Sequence, residues 1–406
     1  NDGEIQESRL NDAVTRILTL KENKGILDWK ESNYSLEKAL ATVGSDENRA
    51  KEREIARKAV TVVKNENNAL PLNVTKKSKV LMLCPYTNEQ SQMLMGWNRA
   101  KKAGLIPDGA EVKVQCFMNH DDLETVKENI DWADTVIINS EIYGTYYTNY
   151  KHWLSAGPNN FTKYCKENNK TSVIMSVDLP YDVQLYPYAD AILAVYGDIG
   201  SSVDPTEAIV GGTTTSKEAY GPNIIAGVEV ALGTFGATGT LPVNVTKYDA
   251  DSNSYTDEIV YKRGHGITYD AKVIDRDTLA NKVAELEKLE KGNYTDASWS
   301  VFEIALNDAK EVLSKVSSQE DIDEALATLN KAYEALTENK KEEPTNPSDK
   351  KDESTNKKDE TVKTETKKNT QKSKVKTGDN TAITAFAVMM FISGCVFVLA
   401  RRKRND

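Results

Sequence analysis

The sequence predicts an α/β protein with a doubly wound, mostly parallel sheet, followed by a three-helix bundle, a disordered spacer and one transmembrane helix. Three observations lead to this fold class. Short, nearly all-apolar runs recur between polar, helix-compatible stretches, as expected of parallel strands that are covered on both faces. A later region has helical periodicity and no proline. The end of the chain then changes from dense charge to an uncharged apolar run.

The sheet is predicted from five runs that are rich in β-branched residues. Alternation of strands and helices at this spacing is typical of crossover units that wind helices onto both faces of a sheet. The predicted strands are 79–83, 111–117, 135–139, 172–177 and 191–196. The helix-compatible stretches that separate these strands are 88–103, 121–132, 159–168 and 181–188.

Ligands of such sheets bind beyond the carboxyl ends of the strands. This rule singles out the segments 85–86, 140–147, 178–180 and 197–201. No Gly-x-Gly-x-x-Gly or Walker loop follows the first of these strands, where Cys84-Pro85-Tyr86 stands instead. A nucleotide or dinucleotide site is therefore disfavoured, and no cofactor is predicted.

Composition excludes further classes of function. The formal net charge of −10 is opposite to the basic footprint of a nucleic-acid-binding protein. The four cysteines, Cys84, Cys116, Cys165 and Cys395, are scattered and form no Cys-x-x-Cys pair. This excludes a disulfide scaffold and a structural zinc module. The sequence therefore predicts neither a nucleic-acid partner nor a metal.

Residues 276–337 predict a bundle of three helices. Apolar residues recur at spacings of three and four, and Gly292-Asn293 separates the first helix from the second. Either Thr295 or Asp296 fits the N-cap of the second helix. The pattern resembles the FIVAR module of bacterial surface proteins, which implies a stalk or a unit that binds sugars or matrix proteins. Trp299 fits either a sugar platform or the core, and its helical spacing favours the core.

The end of the chain predicts an exported, anchored protein. Residues 341–377 hold 11 Lys and 8 Asp or Glu, and such a segment cannot bury enough apolar surface to become ordered. Residues 382–400 are 19 uncharged residues, which at about 1.5 Å per residue can cross a bilayer. The basic residues of the tail, 401–406, place that end in the cytoplasm and the rest outside.

A short motif before the apolar span resembles the sorting signal of Gram-positive surface proteins. It reads Lys374-Val375-Lys376-Thr377-Gly378-Asp379. The resemblance implies that a sortase cleaves between Thr377 and Gly378 and joins Thr377 to peptidoglycan. Lys374 and Val375 replace the usual Leu-Pro, so retention by the apolar span alone is an equal alternative. Both alternatives place the protein on the extracellular face of a Gram-positive bacterium, attached to the membrane or to the cell wall.

Four stretches between about residues 4 and 270 resemble glycoside hydrolase family 3, in that family's order. Residues 9–18, Arg-Leu-Asn-Asp-Ala-Val-Thr-Arg-Ile-Leu, look like the last helix of its (β/α)8 barrel. Residues 59–65 with Leu70-Pro71-Leu72 resemble the start of its second domain. Residues 239–245 resemble its Gly-Lys-Leu-Pro-Val stretch, in a form closer to the β-N-acetylglucosaminidases. Residues 261–269 resemble its closing Gly-x-Gly-Leu-x-Tyr.

The resemblances imply a division of the chain into seven parts. Residues 1–30 are expected to be the last helix of a truncated barrel, 31–58 an interdomain linker and 59–270 the C-terminal α/β domain of the family. The FIVAR module follows at 276–337, the spacer at 341–377, the anchor at 382–400 and the basic tail at 401–406.

Membership of this family implies a retaining β-glycosidase, of the β-N-acetylhexosaminidase or β-glucosidase type, that hydrolyses terminal O-glycosidic bonds. The nucleophilic Asp lies late in the family's barrel. It is therefore expected outside this chain, which alone should be inactive and should have its own barrel as a partner. No histidine here follows the acid/base pattern of the acetylglucosaminidase branch, and His265 is interpreted as part of the closing turn. The rival hypothesis is a non-catalytic adhesin or carbohydrate-binding scaffold.

In the β-glucosidase branch the acid/base is a Glu that follows a strand of the second domain. Residues 140–147 resemble that stretch, although they lack its preceding Gly, and this makes Glu141 the candidate acid/base. Apolar and aromatic neighbours are of the kind that raises the pKa of a carboxyl towards the working range of an acid. The alternative is a loop carboxylate that faces solvent.

Aromatic residues close to Glu141 are candidates for stacking against a sugar ring. The alternative for them is packing against the barrel. The candidates are Tyr143, Tyr146, Tyr147 and Trp153. Asp198 and Asp204 could contact sugar hydroxyls, although loop aspartates usually cap turns.

Overall fold

The computed structural model describes residues 5–30, 35–197 and 221–340. The predicted spacer, the anchor, the basic tail, the sorting residues Thr377 and Gly378, and Asp198 and Asp204 lie outside the described residues. Within the described ranges, no helix combines the length and the apolar character that crossing a bilayer requires.

A six-stranded sheet forms the centre of the α/β domain. Five of its strands run parallel and confirm the five predicted runs, while the first strand adds to the edge in the antiparallel direction. Its order is β1-β6-β5-β4-β2-β3. The strands are β1 (Thr61–Asn65), β2 (Lys79–Cys84), β3 (Glu111–Cys116), β4 (Thr135–Ser140), β5 (Thr171–Ser176) and β6 (Ala191–Ala194).

Helices cover both faces of this sheet, which confirms the doubly wound arrangement. Alternate residues of each strand enter two separate cores, because side chains alternate across a strand: Val80 and Met82 enter one and Leu81 and Leu83 the other. The first core is closed by α4 (Glu89–Lys102) and α7 (Asn223–Leu232), and the second by α5 (Lys127–Trp132) and α6 (Trp153–Glu167).

Helices α4 and α7 approach each other closely at a glycine. A Cβ placed on Gly96 would lie 2.6 Å from Cβ of Val228. No side chain fits in that space, so glycine allows the two helices to share one core.

Three of the helix-compatible stretches differ from their prediction. Residues 181–188 form only one 3₁₀ turn, Asp182–Gln184, so a helix there is wrong; Pro187 removes a backbone donor that a longer helix would need. In the stretch 121–132 a 3₁₀ turn precedes α5, and Asp122 caps it. Helix α6 starts earlier than predicted, at Trp153, and includes Pro158 in its second turn.

The later part of the α/β domain closes back onto its first strand. Ile267 bridges to Val62 of β1, and Ala237 bridges to Tyr269. The His265 ring nitrogen Nε2 lies 2.8 Å from the Val63 carbonyl oxygen, which confirms that His265 belongs to the closing segment. A two-stranded ribbon that the sequence did not predict, β7 (Val245–Asp249) with β8 (Ser254–Tyr261), precedes this segment.

In the described residues before β1 there are three helices, α1 (Glu7–Asn23), α2 (Leu36–Thr42) and α3 (Asp46–Ala59). Helix α1 buries none of its residues. Helix α3 joins the α/β domain through Arg57, whose Nε and Nη2 donate to the two carboxylate oxygens of Glu229 at 2.9 and 2.8 Å. Nη1 of Arg99 lies 3.6 Å from the same carboxylate. A charge cluster around the buried Glu229 carboxylate therefore holds α3 against α4 and α7.

The predicted bundle is present as three helices, α8 (Asp277–Leu286), α9 (Asp296–Ser314) and α10 (Gln319–Glu334), which we call the three-helix module. The Thr295 side chain caps α9, and Ser318 caps α10 in a capping box with Asp321. Trp299 is partly buried against the module's core, with its ring centroid 5.2 Å from that of Phe302. The structure therefore supports the core interpretation of Trp299.

Candidate functional site

The strand order creates a crevice at the carboxyl end of the sheet. Strand β2 has β3 on one side and β4 on the other, and the helices that follow β2 and β3 lie on opposite faces. Such a switch point is where open α/β sheets bind ligands. The segment that follows β2 and the loop of residues 141–152 that follows β4 both leave the sheet here.

Two buried carboxyl groups meet at this switch point. Glu141 follows β4 and has no exposed surface, and Glu89, the first residue of α4, is 2% exposed. The Asn139 amide donates to Glu89 Oε2 at 2.6 Å. Burial raises the pKa of Glu89 well above its ordinary value, and the charge of Glu141 and a hydrogen bond with it add to the effect. Two such buried carboxyls cannot both ionise at low cost.

Glu141 therefore lies at a strand end, as predicted. The sequence left two interpretations open, a candidate acid/base and a loop carboxylate that faces solvent. The alternative of a solvent-facing loop carboxylate is wrong, because the side chain is fully buried. Sequence reasoning missed its partner Glu89. An acidic residue in the first turn of a helix is ordinarily explained by the helix dipole, and nothing local in the sequence indicates a second carboxyl beside it.

The four predicted aromatic residues share one surface above the carboxyl pair. The ring centroids of Tyr143 and Tyr147 are 4.3 Å apart, and those of Tyr146 and Tyr147 are 5.2 Å apart. The His152 ring lies between Trp153 and the tyrosines. Its centroid is 5.8 Å from that of Trp153 and 4.7 Å from that of Tyr147. Tyr146 is 70% exposed. The loop thus presents apolar ring faces to its surroundings.

Hydroxyl groups connect this surface with the buried pair. The phenol of Tyr143 lies close enough to those of Tyr147 and of Tyr86, in the segment after β2, to affect their pKa values. Burial raises the pKa of Tyr86, and the charges of Glu141 and Glu89 raise it further. Tyr86 also packs edge-on against Trp153, with ring centroids 5.9 Å apart. Tyr86 is thus a member of the site, although the sequence analysis placed it only in a segment that follows a strand.

A second buried acid lies behind the ends of β4 and β5. Asp182 accepts hydrogen bonds from Ser140, at 2.5 Å, and from Ser176, and Tyr186 contacts Ser140. Burial raises the pKa of Asp182 to about 7, although the two hydroxyl donors lower it. The group is fully enclosed. In the three described ranges, no three His, Cys, Asp or Glu side chains group in a way that could hold a metal ion.

No family model matches this chain. Among curated proteins it is 35% identical over 81 residues to a β-xylosidase of Formosa agariphila, covering 20% of this chain and 11% of that protein. It is also 35% identical over 81 residues to a β-N-acetylglucosaminidase/β-glucosidase of Cellulomonas fimi, covering 20% of this chain and 14% of that protein. A lysosomal β-glucosidase of Dictyostelium discoideum is 31% identical over 98 residues, 24% of this chain and 12% of that protein.

Solved structures similar to the chain include two bacterial enzymes. A β-glucosidase of Listeria innocua in complex with gluconolactone has 18% identity and a TM-score of 0.37, covering 66% of this chain and 40% of that one. A glycoside hydrolase family 3 β-N-acetylglucosaminidase of Paenibacillus has 17% identity and a TM-score of 0.35, covering 59% and 40%. The matched segments are short parts of the curated relatives. Those sequence relatives are all glycosidases, as the resemblance of this chain to glycoside hydrolase family 3 predicts.

Proposed function

We propose that this chain is part of a cell-surface retaining β-glycosidase, of the β-N-acetylhexosaminidase or β-glucosidase type, that hydrolyses terminal O-glycosidic bonds of carbohydrates. The observation that carries the proposal is the 35% identity to two glycosidases over 81 residues. The site at the sheet's switch point supports it, because exposed aromatic rings lie beside a carboxyl pair there. Barrel residues outside this chain would supply the nucleophile.

The aromatic surface suits a sugar because the C–H face of a pyranose packs against an aromatic ring. In a retaining mechanism one group protonates the leaving oxygen and later activates water. Glu141 is the proposed acid/base, and its pairing with the buried Glu89, whose pKa is raised well above its ordinary value, favours the protonated form that an acid needs. Because Glu141 is buried here, this role requires the 141–152 loop to shift when the barrel and the sugar are in place.

The test uses the full-length enzyme with Glu141→Gln. General acid–base catalysis contributes roughly 10²–10⁴-fold, so turnover of aryl β-glycosides should fall by about that factor, and azide should rescue it. Glu128→Gln, at an exposed carboxylate of α5, is the matched control and should leave the rate unchanged. An unchanged rate in Glu141→Gln would assign the acid/base elsewhere. Turnover by the chain without the barrel would contradict the requirement for an outside nucleophile.

The proposed location on the cell surface depends on the C-terminal segments. The apolar residues 382–400 would hold the chain in the membrane, and the motif at Thr377-Gly378 would allow a sortase to transfer it to peptidoglycan. Mass spectrometry of the cell-wall fraction separates the two modes. A chain that ends at Thr377 on a peptidoglycan fragment supports transfer, whereas a chain that ends at Asp406 excludes cleavage.

The second candidate function is a carbohydrate-binding scaffold or adhesin without catalysis. The full burial of Glu141 favours it, since a carboxyl in this position does not touch a ligand bound on the aromatic surface. The two functions differ in one measurement on the full-length protein. A scaffold would bind glycans through the aromatic surface, weakened by Tyr146→Ala, without any hydrolysis, whereas the enzyme would lose kcat/KM in the same variant.

A further inference from the structure

Two cysteines end neighbouring strands at the crevice. Cys84 is the last residue of β2 and Cys116 the last residue of β3, and the two are direct partners in the parallel register. Neighbouring strands lie about 4.7–4.9 Å apart, which is within the range of about 4.4–6.8 Å between the Cα atoms of a disulfide. Both side chains point to the same face of the sheet, because both belong to the core that α4 closes.

The thiols already lie across the gap between the two strands. Sγ of Cys84 donates to the carbonyl oxygen of Gln115, on β3, at 3.8 Å. Sγ of Cys116 donates to the carbonyl oxygen of Pro85, beyond the end of β2, at 3.3 Å. Each sulfur thus reaches the strand that carries the other.

The two cysteines differ in exposure and acidity. The neighbouring Cys84 thiol lowers the pKa of Cys116 to about 6, with smaller help from the Met118 backbone and from His120. The proximity of Cys116, together with burial, raises the pKa of Cys84 well above its ordinary value. Cys116 is half-buried and Cys84 is buried. The pair therefore contains a half-buried thiol that ionises readily to the nucleophilic thiolate, beside an enclosed thiol.

We propose that Cys84 and Cys116 form a redox site that reacts with small disulfides and closes into an intrachain disulfide bond. The Cys116 thiolate attacks one sulfur of an external disulfide R–S–S–R, forms a mixed disulfide and releases RS⁻. That thiolate takes the proton of Cys84. The Cys84 sulfur then attacks the Cys116 sulfur and expels the second RS⁻. The two cysteines lose two electrons in total, and the external disulfide is reduced to one RSH and one RS⁻, which takes up the proton that Cys116 released to solvent when it ionised.

The proposed disulfide would affect the position of residues in the candidate site, although neither cysteine takes part in the reaction proposed there. Cys84 directly precedes Pro85-Tyr86, and Glu89 begins the next helix. A link to β3 removes the hydrogen bond between Cys116 and Pro85 and ties the segment that carries Tyr86 to the strand beside it. The proposal stands whether or not the protein is a glycosidase.

The test oxidises the full chain with glutathione disulfide, in a Cys395→Ala background so that no thiol outside the described residues takes part. Tryptic peptides 80–99 and 114–127 carry Cys84 and Cys116 separately, so mass spectrometry detects the bond as a joined pair that has lost two hydrogen atoms. The joined pair should form, should separate on reduction and should persist in Cys165→Ala. Cys165 is the matched control, because it is buried in the opposite core.

The variant Cys84→Ser tests the order of the steps. Without its resolving partner, Cys116 should retain glutathione as a stable mixed disulfide, which wild-type protein should not accumulate. Two results would overturn the proposal: peptides 80–99 and 114–127 that remain separate after oxidation of the Cys395→Ala chain, or glutathione that stays on Cys116 when Cys84 is present. Both readouts use a chain in which Cys84 and Cys116 are intact, so a failure of Cys84→Ser to fold does not affect them.

Discussion

The α/β domain and the three-helix module differ in what they bury. The α/β domain encloses the carboxyl groups of Glu89, Glu141, Asp182 and Glu229, three of them close to strand ends. In the described residues of the module, the buried polar side chains are the hydroxyls of Ser317 and Ser318, and its ion pairs, such as Lys310 with Glu287, lie at the surface. Burial of a carboxyl costs free energy, so the domain keeps groups that stability alone would not favour. The three-helix module, by comparison, keeps its charged groups at the surface.

The largest expected effect comes from the buried charge cluster of the α/β domain. Glu229→Gln leaves the guanidinium groups of Arg57 and Arg99 facing a neutral amide, and removal of one partner from a buried ion pair costs about 3–5 kcal/mol. Chemical denaturation of the full chain should show this loss in the transition of the α/β domain. The matched variant in the module, Glu303→Gln at an exposed position of α9, should change stability by about 0.5 kcal/mol or less. Equal losses of unfolding free energy in Glu229→Gln and Glu303→Gln would contradict this difference between the two regions.

The second prediction concerns pH. Asp182 has a pKa of about 7 in the folded protein against an ordinary value of 3.8, so the folded state binds the extra proton between these values. Its contribution to stability is therefore fully present below about pH 4 and is lost as pH rises to about 7, by up to about 1.4 kcal/mol per pH unit. Asp182→Asn cannot titrate and should flatten this decline. Unfolding free energies of wild type and variant from pH 4 to 8 measure the difference.

The control for Asp182→Asn is Asp257→Asn, which removes an exposed carboxylate of β8 in the same domain. It should reproduce the pH profile of the wild type. A decline with pH that persists unchanged in Asp182→Asn would assign the titration to another buried group, with Glu89 the first to examine.

The smallest expected effect lies in the module. Ser318 accepts from the Asp321 backbone N–H at 3.2 Å, and the Asp321 carboxylate accepts in return from the Ser318 backbone N–H at 3.1 Å. Ser318→Ala removes the first of these bonds and should cost about 1 kcal/mol, independent of pH above about 5. Ser300→Ala, at an exposed position inside α9, is the control and should be neutral or slightly stabilising. A loss above about 3 kcal/mol would mean that the cap does more than end the helix.

Much of the sheet could be predicted because parallel strands covered on both faces need continuous apolar runs. The same reasoning missed β1 and the β7–β8 ribbon, since an edge strand and an exposed ribbon carry polar residues such as Lys64 and Lys247. Helix α6 begins at Trp153, before the predicted stretch 159–168, and it includes Pro158 in its second turn, although proline often marks a helix boundary.

The candidate site was only partly predictable for a different reason. Glu141 and the tyrosines that follow it occupy one loop, so a local resemblance could place them together. Glu89 and Tyr86 join them through the strand order, which brings the end of β2 beside the end of β4. A pairing of this kind is a property of topology, and a single sequence does not reveal it.

The position of β1 has a consequence for how the α/β domain is made. This strand is synthesised first, yet its partners are β6 and Ile267, from the end of the same domain. Contacts between such distant segments slow folding, because the loop between them must close first. During synthesis β1 leaves the ribosome with unpaired backbone groups, and its partners follow only after nearly the whole domain has been made. The domain therefore completes its fold in one late step, and a chain truncated before residue 267 would expose that edge to other molecules.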